Sequence, residues 1–194
     1  INVKIQDFQL DGNRDNQSVK SDKYGVYGTF TDSTFENLYV RNTPSYGFDP
    51  HENSRTGAAT RRLTMRNNIV ENAGLDGITL DKTLDSTIEN NLAISNVRHG
   101  FNLVTESENT QLNGNLSYGN GGNGITVQTG SRKLKLLNNE ISSNLGNGIY
   151  IPEEGMNTIQ SNALLSNGKY GIAIRRSSGN IITDNLVADS SQQQ

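Results

Sequence analysis

The stretch Tyr46-Gly47-Phe48-Asp49-Pro50-His51-Glu52 gathers a phenol, two carboxylates and an imidazole into seven residues. One of the two histidines of the chain lies here, and the other is His99. Read as an extended strand, the stretch turns Phe48 and Pro50 to one face and Asp49 and His51 to the other. An imidazole with a carboxylate beside it is suited to general acid or base work, because the carboxylate sets its tautomer and basicity. The chemistry these residue types point to is proton transfer, provided that other elements bring partners to the same face.

Those elements announce themselves as a repeat. The glycines that open each apolar strand, Gly47, Gly77, Gly100, Gly124, Gly148 and Gly171, are spaced 30, 23, 24, 24 and 23 apart. Asn68, Asn91, Asn115, Asn139, Asn162 and Asn185 form a second comb, and Asn72, Asn96, Asn120, Asn144 and Asn167 a third, both stepping by 23 or 24. Three combs in phase mark a solenoid. Short apolar strands, turns rich in Gly and Asn and no helical spacing predict an all-β, right-handed parallel β-helix with coils of 23–24 residues. The L-x-x-L-x-L ladder of leucine-rich repeats is absent.

Coils of such a helix stack at about 4.8 Å, so each side chain lies over its equivalent in the next coil. Stacked asparagines then form amide ladders, and glycine supplies the positive φ of sharp turns. The same register sorts the outward face. One column reads Asp49, Thr79, Asn102, Thr126, and the next reads His51, Asp81, Val104, Gln128. The column just before the glycines reads Tyr46, Asp76, His99, Asn123, Asn147, Tyr170, and Arg98 precedes His99. His51 is expected over Asp81. Titratable groups thus concentrate where the repeat departs from itself, as at functional sites.

The long step between Gly47 and Gly77 holds an insertion at Asn53–Arg62. Its Arg55, Arg61 and Arg62 are expected to form a basic loop beside His51, on the binding face. Ahead of the repeat, residues 1–10 alternate as a strand with a bend near Asp7, Asp11–Asn16 is a turn, and residues 17–34 read as a polar loop. Residues 1–189 are expected to form one β-helix that lacks coils in front of it, and residues 190–194 a polar tail that leaves the last edge uncapped.

Bulk properties bound the function. The chain has 194 residues, of which 32% are hydrophobic, but their fixed period argues against disorder. There is no cysteine, hence no disulfide framework and no thiolate metal site. The net charge of −3 gives no electrostatic case for nucleic acid, and no apolar run approaches the ~18 residues of a membrane span. No signal peptide opens the sequence, so the chain is expected to be intracellular or the mature part of a longer protein.

The succession LDGNRDN, YGFDPHE, DGITLD and RHGFNLVT resembles the catalytic module of bacterial mannuronan C5-epimerases, and DPHE is closest to the secreted, calcium-dependent group. The strong resemblance spans roughly residues 8–104; later coils match only as generic repeats. The resemblance implies a right-handed parallel β-helix, alginate as the polymer acted on, a secreted bacterial location, and calcium as cofactor with no ligand assignable. It implies catalytic roles for Tyr46, Asp49, His51 and Asp81, and substrate contacts for Lys20, Asp22, Arg98, His99 and Asn102. The insertion at Asn53–Arg62 is longer than the family pattern, and no GGxGxDxUx repeats follow.

Epimerisation at C5 of a uronate needs a neutralised C6 carboxylate, a base to take the C5 proton and an acid on the opposite face. Lys20, Arg98 or a protonated Asp49 are candidates for the first task, His51 tuned by Asp81 for the second and Tyr46 for the third; base and acid can also be exchanged. His99 is a candidate to hold a hydroxyl or the carboxylate. Two rivals remain open: alginate lyase chemistry, in which the same intermediate expels the 4-O-linked sugar, and an alginate-binding β-helix without turnover.

Overall fold

A computed structural model describes residues 2–18 and 23–190. The chain winds as a parallel β-helix whose strands stack into three main sheets of eight, seven and eight strands, all paired in parallel. Each coil gives one strand of about three residues to each sheet. The seven-stranded sheet carries the chemistry. Its strands are Val26–Gly28, Phe48–Pro50, Ile78–Asp81, Phe101–Val104, Ile125–Val127, Ile149–Ile151 and Ile172–Ile174.

The interior follows from alternation. Phe48 stacks on Ile78, then Phe101, Ile125 and Ile149, and Leu80 stacks on Leu103 and Val127, all of them fully buried. Each such side chain contributes roughly 1.5–3 kcal/mol by leaving water. At the N-terminal end an aromatic cluster fills the wider coils. Phe30 meets Phe35 edge-on with ring centroids 4.7 Å apart, and Phe35 leans on Phe48 at 6.4 Å.

The Asn-Asn and Gly-Asn pairs of the sequence are two-residue bends. The first member takes a left-handed conformation, as at Asn67, Asn90, Gly114 and Asn138 with φ between 52° and 65°. Asn tolerates that region and Gly adopts it freely. The second member points inward and forms the ladder. Asn115 is the pattern: its Oδ1 accepts the backbone N–H and the Nδ2 of Asn91, while its own Nδ2 donates to Ile88 O and to Asn139 Oδ1 at 2.9–3.1 Å. Buried amides are thereby satisfied without water.

Several expectations change. Residues 17–34 are not simply a loop, because Val26–Gly28 pairs in register with Phe48–Pro50. The repeat therefore starts before Asn37. It was hidden because Val26 lies 22 residues ahead of its partner while Lys4↔Thr34 and Thr34↔Thr64 are separated by 30. Asn72 is not a rung of the third comb: Asn96 Oδ1 receives the N–H of Ala73, and Asn72 occupies the left-handed bend with φ of 55°. Lys20, Asp22 and most of the expected polar tail lie outside the described residues, while Ser190 is buried.

The ladder yields a stability test. Asn115→Ala removes the acceptor of the Asn91 backbone N–H and the side-chain donor to Ile88 O, while Asn91 Nδ2 keeps Met65 O and Glu89 O; a buried group left unpaired costs about 1–3 kcal/mol. The thermal midpoint of the variant should fall by roughly 5–10 °C. Asn185→Ala, at the half-buried final rung, should fall by clearly less when both are followed by circular dichroism.

Candidate active site

The column preceding the glycines is an asparagine ladder with substituted rungs. In its lower part Asn123 Oδ1 accepts the backbone N–H of Asn147, and Asn147 Oδ1 accepts that of Tyr170. One coil up, His99 Nδ1 takes the same role and accepts the N–H of Asn123 at 2.9 Å. One further, Asp76 Oδ1 accepts the N–H of His99 at 3.0 Å. The scaffold thus tolerates a histidine and an aspartate because each supplies an acceptor at the required point. With Nδ1 occupied as an acceptor, the His99 proton sits on Nε2. Burial pushes His99 below the ordinary imidazole range against the opposing pull of Asp76, with the Arg98 charge adding to the lowering. A Cβ on Gly122 would come within 2.5 Å of His99 Nδ1, so the next coil needs glycine there.

Asp76 is fully buried and is the hub of this column. Beyond the His99 N–H it binds the Arg98 guanidinium through both oxygens, each at 2.6 Å. It also accepts from Asn102 Nδ2 at 2.9 Å and from Thr79 Oγ1 at 3.2 Å. Arg98, held charged by this bidentate pair, extends to the Tyr46 hydroxyl at 3.4 Å, its guanidinium 5.6 Å from the centre of the phenol ring. Sequence reasoning put Asp76 in the column without a role; its need to satisfy four neighbours is a property of the fold.

On the neighbouring columns His51 stands between two acids. Its Nδ1 lies 3.4 Å from Asp49 Oδ1 and 3.5 Å from Asp81 Oδ2. Asp49 comes from the same strand and Asp81 from the coil below, as the 30-residue step dictates. The Asp49 side chain is only 3% exposed, and burial pushes its carboxyl up to about 6 against the pull of His51. Burial also raises Asp81. With Nδ1 turned to the carboxylates, His51 Nε2 is left for a ligand. The outward column Asp49, Thr79, Asn102, Thr126 is nearly inaccessible, since neighbouring side chains cover it. Asn102 serves Asp76 and accepts from Gln128 Nε2 at 3.1 Å.

Two aromatic residues escaped the sequence reading. Tyr24 precedes Gly25 as Tyr46 precedes Gly47, and Tyr27 is paired with Asp49. Tyr24 stacks on Tyr46 at 5.5 Å with the planes 2° apart, on Tyr27 at 4.7 Å, and Tyr27 leans on His51 at 5.3 Å. The 22-residue offset of this coil is the signal that would have found them. The basic insertion also divides: Arg62 pairs with Asp32 through both oxygens and Arg61 lies 3.4 Å from Asp85, whereas Arg55 lines a pocket with Tyr27, which itself leans on His51. Among the described residues no group of three or more His, Cys, Asp or Glu side chains is placed to hold a metal ion, so the implied calcium finds no such ligand set.

Comparison with known proteins bears on this geometry. The sequence is similar to the mannuronan C5-epimerase AlgE4 of Azotobacter vinelandii, 44% identical over 112 residues that cover 55% of this chain and 19% of that protein. Similarity to alginate lyase 7 of the same organism is lower, at 36% over 109 residues, covering 53% of this chain and 12% of that protein. The fold matches the A-module of the Azotobacter vinelandii epimerase AlgE6 with a TM-score of 0.84 and 31% identity, over 98% of this chain and 52% of that one. The chain therefore spans about half of that solved module and a fifth of the curated epimerase. Residues 7–194 match the family described as periplasmic copper-binding protein (NosD), and the chain belongs to that family.

Proposed function

We propose that this protein epimerises mannuronate residues at C5 within alginate. The observation that carries the reading is His51, set between Asp49 and Asp81, on the same sheet face as Tyr46 with Arg98 at its hydroxyl. In the proposed reaction His51 Nε2 removes the C5 proton, and Asp81 stabilises the imidazolium through Nδ1. Negative charge then spreads onto the C6 carboxylate. Protonated Asp49 donates to that carboxylate and makes the C5–H acidic enough to leave. Tyr46 delivers its phenolic proton to the opposite face of C5, and Arg98 stabilises the phenolate that remains. One proton leaves carbon and one returns, and solvent resets the two groups. His99, with its Nε2–H, positions the sugar, and Asn102, expected as a direct contact but buried, acts from beneath by holding Asp76 and Gln128. Lys20 and Asp22 are further proposed substrate contacts.

No step uses a metal. Calcium is proposed as a cofactor on the resemblance alone, with no ligand assigned, and copper remains the description of the family. We place the activity outside the cytoplasm, with the bacterial exterior as the finer proposal, since the family description is periplasmic and the polymer is extracellular. The lyase reading shares every step up to the intermediate, and the similarity to alginate lyase 7 keeps it as a second outcome.

Polymannuronate incubated in deuterium oxide should gain deuterium at C5 with inversion. His51→Ala and Tyr46→Phe should each lower that rate by about 100-fold or more. Accumulation of an unsaturated, ultraviolet-absorbing product would assign lyase chemistry, and no incorporation by the unmutated chain would leave only binding.

Asp49 supplies a pH test. Its carboxyl titrates at about 6, so kcat/KM should fall as pH rises through that value and the proton is lost. Asp49→Asn keeps a donor and should remove this limb while retaining activity. The sign for stability is the same: the folded state holds the proton more tightly than the unfolded chain, so stability falls as pH rises from about 4 to about 6. Asp49→Asn should therefore melt higher than the unmutated protein at pH ~7.

A further inference from the structure

Beside Tyr27, which leans on His51 at 5.3 Å, lies a pocket of about 320 Å³ lined by Tyr27, Gly28, Thr29, Glu52, Asn53, Ser54 and Arg55. That is the lower end of the range for small-ligand pockets and accommodates a single sugar ring. Its walls are Tyr27, half exposed and tilted against His51, and the tip of the insertion.

The tip is a built turn. Asn53 Oδ1 accepts the N–H of Arg55 and of Thr56 at 3.0 Å, Asn53 N–H donates to Ala58 O at 2.8 Å, and Gly57 takes a φ of 67°. Arg55 is exposed and, among the described residues, meets no carboxylate, unlike Arg61 and Arg62. Glu52, the one acid in the pocket, is neutralised by Lys82 at 2.8 Å. The pocket therefore presents an aromatic face and one uncompensated guanidinium.

We infer that this pocket is a subsite for the uronate adjacent to the one held at His51, its ring against Tyr27 and its carboxylate on Arg55. The inference rests on the proposal that the protein acts on polyuronate, and it adds a contact made by the insertion at Asn53–Arg62. A guanidinium paired with a sugar carboxylate is a planar, charge-assisted contact. Its position next to the reacting sugar makes it a determinant of how firmly the chain is gripped between turnovers.

The test uses mannuronate oligomers of increasing length, with deuterium exchange and direct binding titration run in parallel. Arg55→Ala should raise KM about tenfold on long oligomers, with a smaller change in kcat, and lose that effect on oligomers too short to fill the pocket. Arg55→Lys should recover part of the loss, and Tyr27→Ala should act in the same direction as Arg55→Ala. Arg62→Ala, which removes the same charge away from the pocket, should leave KM unchanged. Loss of equal size at every length, equal loss in Arg62→Ala, or no loss at all would overturn the subsite. If the unmutated chain binds oligomers but exchanges no deuterium, the epimerase proposal fails, and dependence of the dissociation constant on Arg55 and on oligomer length still decides the subsite.

Discussion

Everything in this molecule depends on one constraint: successive coils are hydrogen-bonded in parallel at about 4.8 Å, so equivalent residues must stack. An interior position must suit the residue above and the residue below at once. For apolar columns that means Phe48, Ile78 and Phe101 filling one shaft. For bends it means an acceptor placed to receive a backbone N–H of a neighbouring coil, the preceding one in the Asn115 ladder and the following one in the Asp76 column. Asparagine meets that demand most often, but Asp76 and His99 meet it too. The candidate site is a place where the ladder keeps its geometry and changes its chemistry.

That substitution has costs that local partners offset. Asp76 is fully buried, and the bidentate Arg98 together with Asn102, Thr79 and the His99 N–H satisfies its oxygens. Asp49 is buried with less help, and its raised carboxyl is the consequence. Among the described residues Asp81 Oδ1 is buried without a hydrogen-bond partner. Residual strain of this kind, beside a histidine that faces both acids, is what proton-transfer sites accumulate at the expense of stability.

Much of this was legible in the sequence because register is arithmetic. Counting 30 residues from His51 arrives at Asp81, and counting 23 from Asp76 arrives at His99. The arithmetic failed where coil length changed. Tyr24 and Tyr27 were lost in an apparent loop because their coil returns after 22 residues. Asn72 took the rung of Ala73 because one residue separates a bend from a ladder position. Asp32 precedes Arg62 by 30 residues and Asp85 follows Arg61 by 24, each a one-coil step, so the same counting could have found these pairs; they were missed because Arg61 and Arg62 were read as part of a loop. Hydrogen-bond hubs such as Asp76 are invisible to spacing, since their significance lies in which neighbours turn toward them.

The central claim is that His51 and Tyr46 address opposite faces of one sugar. A crystal structure of the His51→Ala protein with a mannuronate oligomer tests it most directly, with the missing imidazole restored by superposition. The account predicts one C5 atom held between the two groups, within about 3.5 Å of His51 Nε2 on one face and of the Tyr46 hydroxyl on the other. An oligomer bound with both groups on the same face of the ring, or away from this sheet, would contradict it.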